Sequence, residues 1–120
     1  MARMIYKLAT RQQWNEAKAK GQFDGAPVDK ADGFIHFSTA EQVEETARKH
    51  FCGIDALLLL AIPVDRLEAS AGPLKWEPSR GGALFPHLYD VMPLDAVTEE
   101  IALPMDGDGF HQFPQLQQEE

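Results

Sequence analysis

The run Ala56-Leu57-Leu58-Leu59-Leu60-Ala61-Ile62, bounded by Asp55 and Pro63, constrains this chain more than any other segment. It falls far short of the 18 or so consecutive apolar residues of a membrane span. Nor does it alternate as a strand with one solvent-facing side would. A short continuous apolar run of this kind reads as a central strand buried on both faces. The rest of the chain has to supply its sheet partners and the layers that cover it.

Met4 to Ala9 reads as a first strand. Thr10 followed three positions later by Gln13 is a capping-box pattern, and Trp14, Ala17 and Lys18 then recur at helical spacing up to Gly21. A loop from Phe23 through Pro27 to Gly33, carrying Asp24, Asp29 and Asp32, leads into a short strand at Phe34-Ile35-His36-Phe37. Ser38 and Glu41 form a second capping-box pattern that opens a helix over Thr39–Phe51. Val43 and Ala47 lie on its apolar side, and Glu44, Glu45, Arg48 and Lys49 form a solvated, ion-paired side. Asp65-Arg66-Leu67 fits a helical turn, and Leu74 to Glu77 a strand interrupted by Pro78. Leu94 to Leu103 reads as a loop and then a strand, Asp106 to Gly109 as a turn, and Phe110 to Phe113 as an edge strand. Two early helices followed mostly by strands predict a compact α+β domain with a mixed or antiparallel sheet over residues 1–114. Residues 115–120 are expected to form a polar, disordered tail.

Composition narrows the partners. Eleven basic residues against nineteen acidic ones give a formal charge of −8. A polyanion has nothing to offer nucleic acid or an anionic membrane surface, so neither is expected as a partner. One small anionic molecule in a local basic pocket is still allowed, and the sequence is silent on oligomeric state. Cys52 stands alone, which removes any disulfide framework or C-x-x-C pair. The N-terminus has no long apolar segment and no small-residue cleavage site, so a cytoplasmic location is expected.

Two segments concentrate the groups that can do chemistry. The first is Asp32-Gly33-Phe34-Ile35-His36-Phe37-Ser38-Thr39, where an imidazole stands inside an apolar strand and its ring nitrogens require partners. The strand runs straight into a helix N-terminus, a ready receptor for phosphate or carboxylate. The second runs from Trp76 to Tyr89. Here Arg80-Gly81-Gly82 sets a guanidinium beside backbone that a ligand can approach closely, and Trp76 offers a ring to stack on a planar base. Glu77 sits three residues before Arg80, while His87 and Tyr89 follow in a loop stiffened by Pro86. Glu77 pairing Arg80 in a plain turn is the structural alternative. His36, His87 and Glu77 have the composition of a two-histidine, one-carboxylate metal site, but no H-x-H or H-x-x-x-H spacing supports one. No metal is expected.

The order I-Y-K-L-A-T, D-G-F-I-H-F-S-T-A-E-Q-V and W-E-P-S-R-G-G-A-L-F-P-H-L-Y resembles a bacterial family, domain of unknown function 952, from about Ile5 to Pro114. The family has no established activity, and the resemblance implies a protein of the kind taken up as a structural-genomics target. The resemblance implies the ADP-ribosyltransferase-like superfold, a split sheet that grips NAD in a central cleft. His36-Phe37-Ser38 is similar to that superfamily's first motif, with Phe37 where glycine is usual, and this would set His36 against the adenosine ribose. Glu77 is then the implied catalytic carboxylate, with Glu99 and Glu100 as alternatives. Ser38, Thr39, Trp76, Arg80, Gly81 and Gly82 would help bind NAD, and His87 or Tyr89 would stack on a ring. The expected function is an NAD-using transferase or glycohydrolase, with NAD as substrate and Glu77 and His36 at its centre. The alternative is a non-catalytic module that binds a nucleotide or small anion on the same fold.

Overall fold

In the computed structural model, residues 3–79 and 82–116 are described. In chain order the elements are β1 (Met4–Thr10), α1 (Arg11–Lys20), β2 (Gln22–Phe23), α2 (Pro27–Asp32), β3 (Ile35–His36) and α3 (Ala40–His50). There follow β4 (Leu57–Pro63), α4 (Val64–Ser70), β5 (Lys75–Pro78), β6 (Leu84–Leu88), β7 (Met92–Pro93) and β8 (Glu99–Leu103), with a 3-10 turn at Leu94–Ala96.

The apolar run is the middle strand of an antiparallel sheet in the order β1-β4-β8. No residue from Leu57 to Ile62 is more than 2% exposed. Alternate residues feed two separate cores. Leu58, Leu60 and Ile62 pack with Ile5, Trp14 of α1 and Leu67 of α4, whereas Leu57, Leu59 and Ala61 pack with Tyr6 and with Val43 and Ala47 of α3. Burial on both faces therefore follows from helices on both sides of the sheet. Ala56 takes a positive φ of 54°, so the strand begins one residue after the apolar run does.

Two smaller antiparallel sheets complete the fold, β2-β7 and β3-β6-β5. Every strand pair among the described residues is antiparallel, which resolves the expected mixed-or-antiparallel choice. The β3 segment reaches the large sheet at one point, where the Tyr6 and Ser38 backbones exchange hydrogen bonds of 2.8 and 2.9 Å.

Local chemistry sets the helix ends. Thr10 Oγ1 accepts from the Gln13 N–H at 3.1 Å and Gln13 Oε1 accepts from the Thr10 N–H at 3.0 Å, the expected capping box. The second cap differs from the sequence reading. The Ser38 backbone is committed to Tyr6, so the helix starts one residue later, with Gln42 accepting from the Thr39 N–H at 3.0 Å. The expected loop between Phe23 and Gly33 contains α2, with Pro27 in its first turn and Gly33 in the left-handed conformation as its C-cap. The early part of the chain thus has three helices rather than two, and α4 is a fourth.

Pro86 does not stiffen a loop. It is buried in β6, the central strand of its sheet. Its carbonyl accepts from the Phe37 N–H at 3.0 Å, but with no N–H of its own it returns nothing, and the β3–β6 ladder ends there after two pairs. The expected edge strand at Phe110–Phe113 is reduced to a single bridge between Met105 and His111. Leu116 packs against the second core, beyond the expected end of the domain at Pro114. Residues 117–120 of the expected tail lie outside the described residues. No helix among the described residues is long and apolar enough to cross a membrane.

Candidate functional site

Strand alternation sorts the chemistry of the small sheet onto one face. His36 of β3 stands directly opposite His87 of β6, and Lys75 of β5 stands opposite His87 on the other side. The same parity places Phe34, Tyr89 and Glu77 on this face. Phe34 stacks on the His87 ring at 4.1 Å between centroids, and the His36 and His87 rings meet edge to face at 5.3 Å. The alternate residues, Ile35, Phe37, Leu88 and Trp76, turn into the first core.

Each histidine is held by a carboxylate. Oδ1 of Asp29 lies 2.6 Å from His36 Nδ1 and accepts the His36 backbone N–H at 3.1 Å. Oε1 of Glu77 lies 2.7 Å from His87 Nδ1 and accepts the Tyr89 hydroxyl at 2.8 Å. Asp32 ends α2 four residues before His36, with its Oδ2 2.9 Å from His36 Nε2. Both nitrogens of His36 thus face carboxylate oxygens.

Asp29 is the hub. Its side chain is 1% exposed and that of its partner Lys7 is 6% exposed. Lys7 Nζ donates to both Asp29 oxygens, at 3.0 and 2.8 Å, and to the His36 carbonyl at 3.0 Å. The Ala26 N–H donates to Asp29 Oδ2 at 2.7 Å. Burial alone would raise the Asp29 carboxyl, but the His36 hydrogen bond, the Lys7 ammonium and the Ala26 N–H outweigh it and bring the pKa down to about 2. Burial pulls Lys7 below the usual lysine range, opposed by Asp29. His87 first and then Tyr89 hold the Glu77 carboxyl low, and Glu77 in turn raises the Tyr89 phenol.

Gly25 makes room for this arrangement. Its φ is +108°, and a Cβ there would stand 2.8 Å from the Asp29 Cβ. Only glycine fits between the loop and the buried carboxylate.

A cleft of about 500 Å³ opens beside these groups, within the range of small-molecule sites. It runs along β1 where the large and small sheets part, between α2 and the second half of α3. Lys7, Asp29, Asp32, His36, Ser38 and His87 line it, together with the apolar Val28, Phe37, Phe51 and Phe85. Among the described residues no group of three acidic, histidine or cysteine side chains is disposed to hold a metal ion.

A family profile described as a protein of unknown function (DUF952) matches residues 8–100. The chain belongs to the DUF952 family. The matched span contains Asp29, Asp32, His36, Glu77 and His87, and starts one residue after Lys7. A solved structure agrees in fold: the crystal structure of protein CC0527 from Caulobacter crescentus, a structural-genomics target. It is 50% identical, with a TM-score of 0.84 over 91% of this chain and 93% of that one. The solution NMR structure of CC0527 gives a TM-score of 0.78 at 50% identity, covering 91% of each chain. No curated protein matches.

Of the residues singled out in the sequence of this DUF952 chain, His36, Ser38 and His87 line the cleft. The Ser38 hydroxyl lies 3.3 Å from that of Thr46. Thr39 caps α3 away from the lining, and Trp76 lies on the core side of its sheet beneath the Arg3 guanidinium at 4.2 Å. Glu77 and Tyr89 are outside the lining and reach the site through His87. Glu99 and Glu100 are on β8, separated from β1 by β4, and Lys18 lies 3.7 Å from Glu100. Gly82 has a positive φ of 81° and donates to the Ser79 carbonyl, a turn with open space around it. Arg80 and Gly81 lie outside the described residues.

Sequence reasoning passed over Lys7 and Asp29. A lysine in the middle of an apolar strand was the available signal for the first. Asp29 two residues after Pro27, at the third position of a helix, was the signal for the second.

Proposed function

We propose that the cleft binds an NAD-class dinucleotide and that the protein acts at the nicotinamide–ribose bond, as an ADP-ribosyltransferase-like transferase or glycohydrolase. The observation that carries this reading is His36 held between Asp29 and Asp32. Asp29, Asp32 and Glu77 surround the two histidine rings, with the Lys7 ammonium paired to Asp29 and Lys75 opposite His87 on the same face. Carboxylates set this close to the ring pair favour a centre that becomes cationic. The ribosyl carbon does so as nicotinamide leaves.

His36 and Asp32 also suit a ribose cis-diol. Asp32 has a side chain 48% exposed, free to swing toward a ligand and accept a hydroxyl, while His36 Nε2 donates to another. The family resemblance implies the adenosine ribose at His36. The local charge favours the nicotinamide ribose there, with Asp32 as the carboxylate beside the developing cation. The pyrophosphate then needs a cation away from this end.

A second reading, a binding module without turnover, is favoured by the engagement of Glu77 with His87 and Tyr89 outside the cleft. Under it, NAD binds and Glu77→Gln alters only stability.

Isothermal titration with NAD and with ADP-ribose tests the shared claim. Saturable binding is expected, weakened about ten- to a hundredfold by His36→Ala, as for loss of a charge-assisted hydrogen bond. Asp32→Asn should weaken it too. Wild-type protein that takes up neither ligand at millimolar concentration overturns both readings.

A further inference from the structure

We infer that His87, positioned by Glu77, accepts a proton from a neutral hydroxyl nucleophile, so that the acceptor of the ribosyl group is water or an alcohol. The inference rests on the NAD-class reading of the same cleft and names its second substrate. Three observations carry it. The Nδ1 of His87 is taken by Glu77 at 2.7 Å, which leaves Nε2 as the free nitrogen of a ring that lines the cleft. Phe34 stacked on that ring and the paired strands on either side fix its orientation. The ring also stands 5.3 Å from the His36 ring, beside the place proposed for the ribose.

A carboxylate fixed on one imidazole nitrogen selects the tautomer whose other nitrogen accepts a proton. Tyr89 donates to the same Glu77 oxygen, so the carboxylate is itself held in place. The acceptor class follows from charge. An anionic acceptor such as a carboxylate arrives without a proton to give and meets the Asp32 carboxylate in the lining. A hydroxyl arrives neutral and must shed its proton as it bonds.

The step balances. The hydroxyl oxygen forms a bond to the ribosyl carbon while the carbon–nitrogen bond to nicotinamide breaks. That bond's electron pair stays on nicotinamide, which departs neutral. The hydroxyl proton passes to His87 Nε2 and then to solvent. In this scheme His87 touches the reacting atoms, and Glu77 is a positioning residue.

The test is nicotinamide release from NAD in water and in water containing methanol, with NAD affinity measured in parallel for every variant. Wild type should release nicotinamide, giving ADP-ribose in water and a share of methyl ADP-ribose with methanol. His87→Gln and His87→Ala should keep saturable NAD binding and lose release by about a hundredfold or more at saturating NAD, the typical size of a general-base contribution. Added imidazole should restore part of the rate to His87→Ala, which a purely structural role would not allow. Glu77→Gln should lose about tenfold. NAD binding without release by wild type overturns the inference and leaves the binding-module reading standing. Undiminished release by both His87 variants overturns it and leaves the transferase reading standing. Absence of NAD binding removes both.

Discussion

Asp29 and His36, seven residues apart on either side of Gly33, share two hydrogen bonds to one carboxylate oxygen, one from the imidazole and one from the backbone N–H. The aspartate therefore fixes both where the strand begins and how its histidine points. Lys7 of β1 closes the arrangement from the large sheet, so one buried ion pair ties together both sheets and the mouth of the cleft.

The acid dependence of stability should report Asp29. Its carboxyl titrates lower in the folded protein than the ordinary 3.8, so folding favours the ionised form. That contribution is complete above the ordinary carboxylate range and is lost as the pH falls toward 2. The gap from 3.8 to about 2 corresponds to about 2 kcal/mol at roughly 1.4 kcal/mol per pH unit. Denaturant midpoints from pH 6 to about pH 2 should fall for wild type and fall less steeply for Asp29→Asn, though the variant starts lower. An equal slope in both would remove Asp29 from the acid transition.

Removing the lysine should cost more than removing the pair. Lys7→Met leaves a buried carboxylate without its ammonium, a loss of about 3–5 kcal/mol. The double change Lys7→Met with Asp29→Asn should recover part of that loss, because no net charge is then stranded. Equilibrium unfolding of wild type, both single variants and the double variant completes the cycle.

Gly25→Ala should destabilise the protein by roughly 1–3 kcal/mol from backbone strain alone, and by more through the clash with Asp29. Gly21→Ala is the control. Its φ is +97°, but an added Cβ meets nothing within 4 Å, so only the backbone cost applies. A larger drop in denaturant midpoint for Gly25→Ala than for Gly21→Ala is expected, with loss of ligand binding in the former only.

The sequence declares the large sheet openly. The unbroken apolar run of β4, the capping box at Thr10 and the Val43–Ala47 stripe each follow from one local rule, and each holds in three dimensions. The small sheet is harder to read because its signals conflict. Pro86 is a strand breaker on propensity, yet its missing N–H falls at the end of the ladder with β3, where one unreturned hydrogen bond closes the pairing. Helix α2 has six residues, too few to show a period, and its aspartates resemble a solvated loop. His36 was legible as a candidate because a polar ring between apolar neighbours needs a partner, and His87 because it stands in the polar, aromatic and glycine-rich segment from Trp76 to Tyr89. Asp29 and Lys7, which hold His36, were not, because only tertiary packing brings residues 7, 29 and 36 together.

The central claim, that an NAD-class ligand occupies the cleft between His36 and His87, is tested most directly by the histidine ring signals in NMR during a titration with NAD. The chain has four histidines. His36, His50 and His87 line the cleft, while the His111 ring bonds the Ile54 carbonyl elsewhere. The account predicts saturable shifts of the His36 and His87 rings, with His111 unmoved. Rings at His36 and His87 that stay in place at millimolar NAD would contradict it.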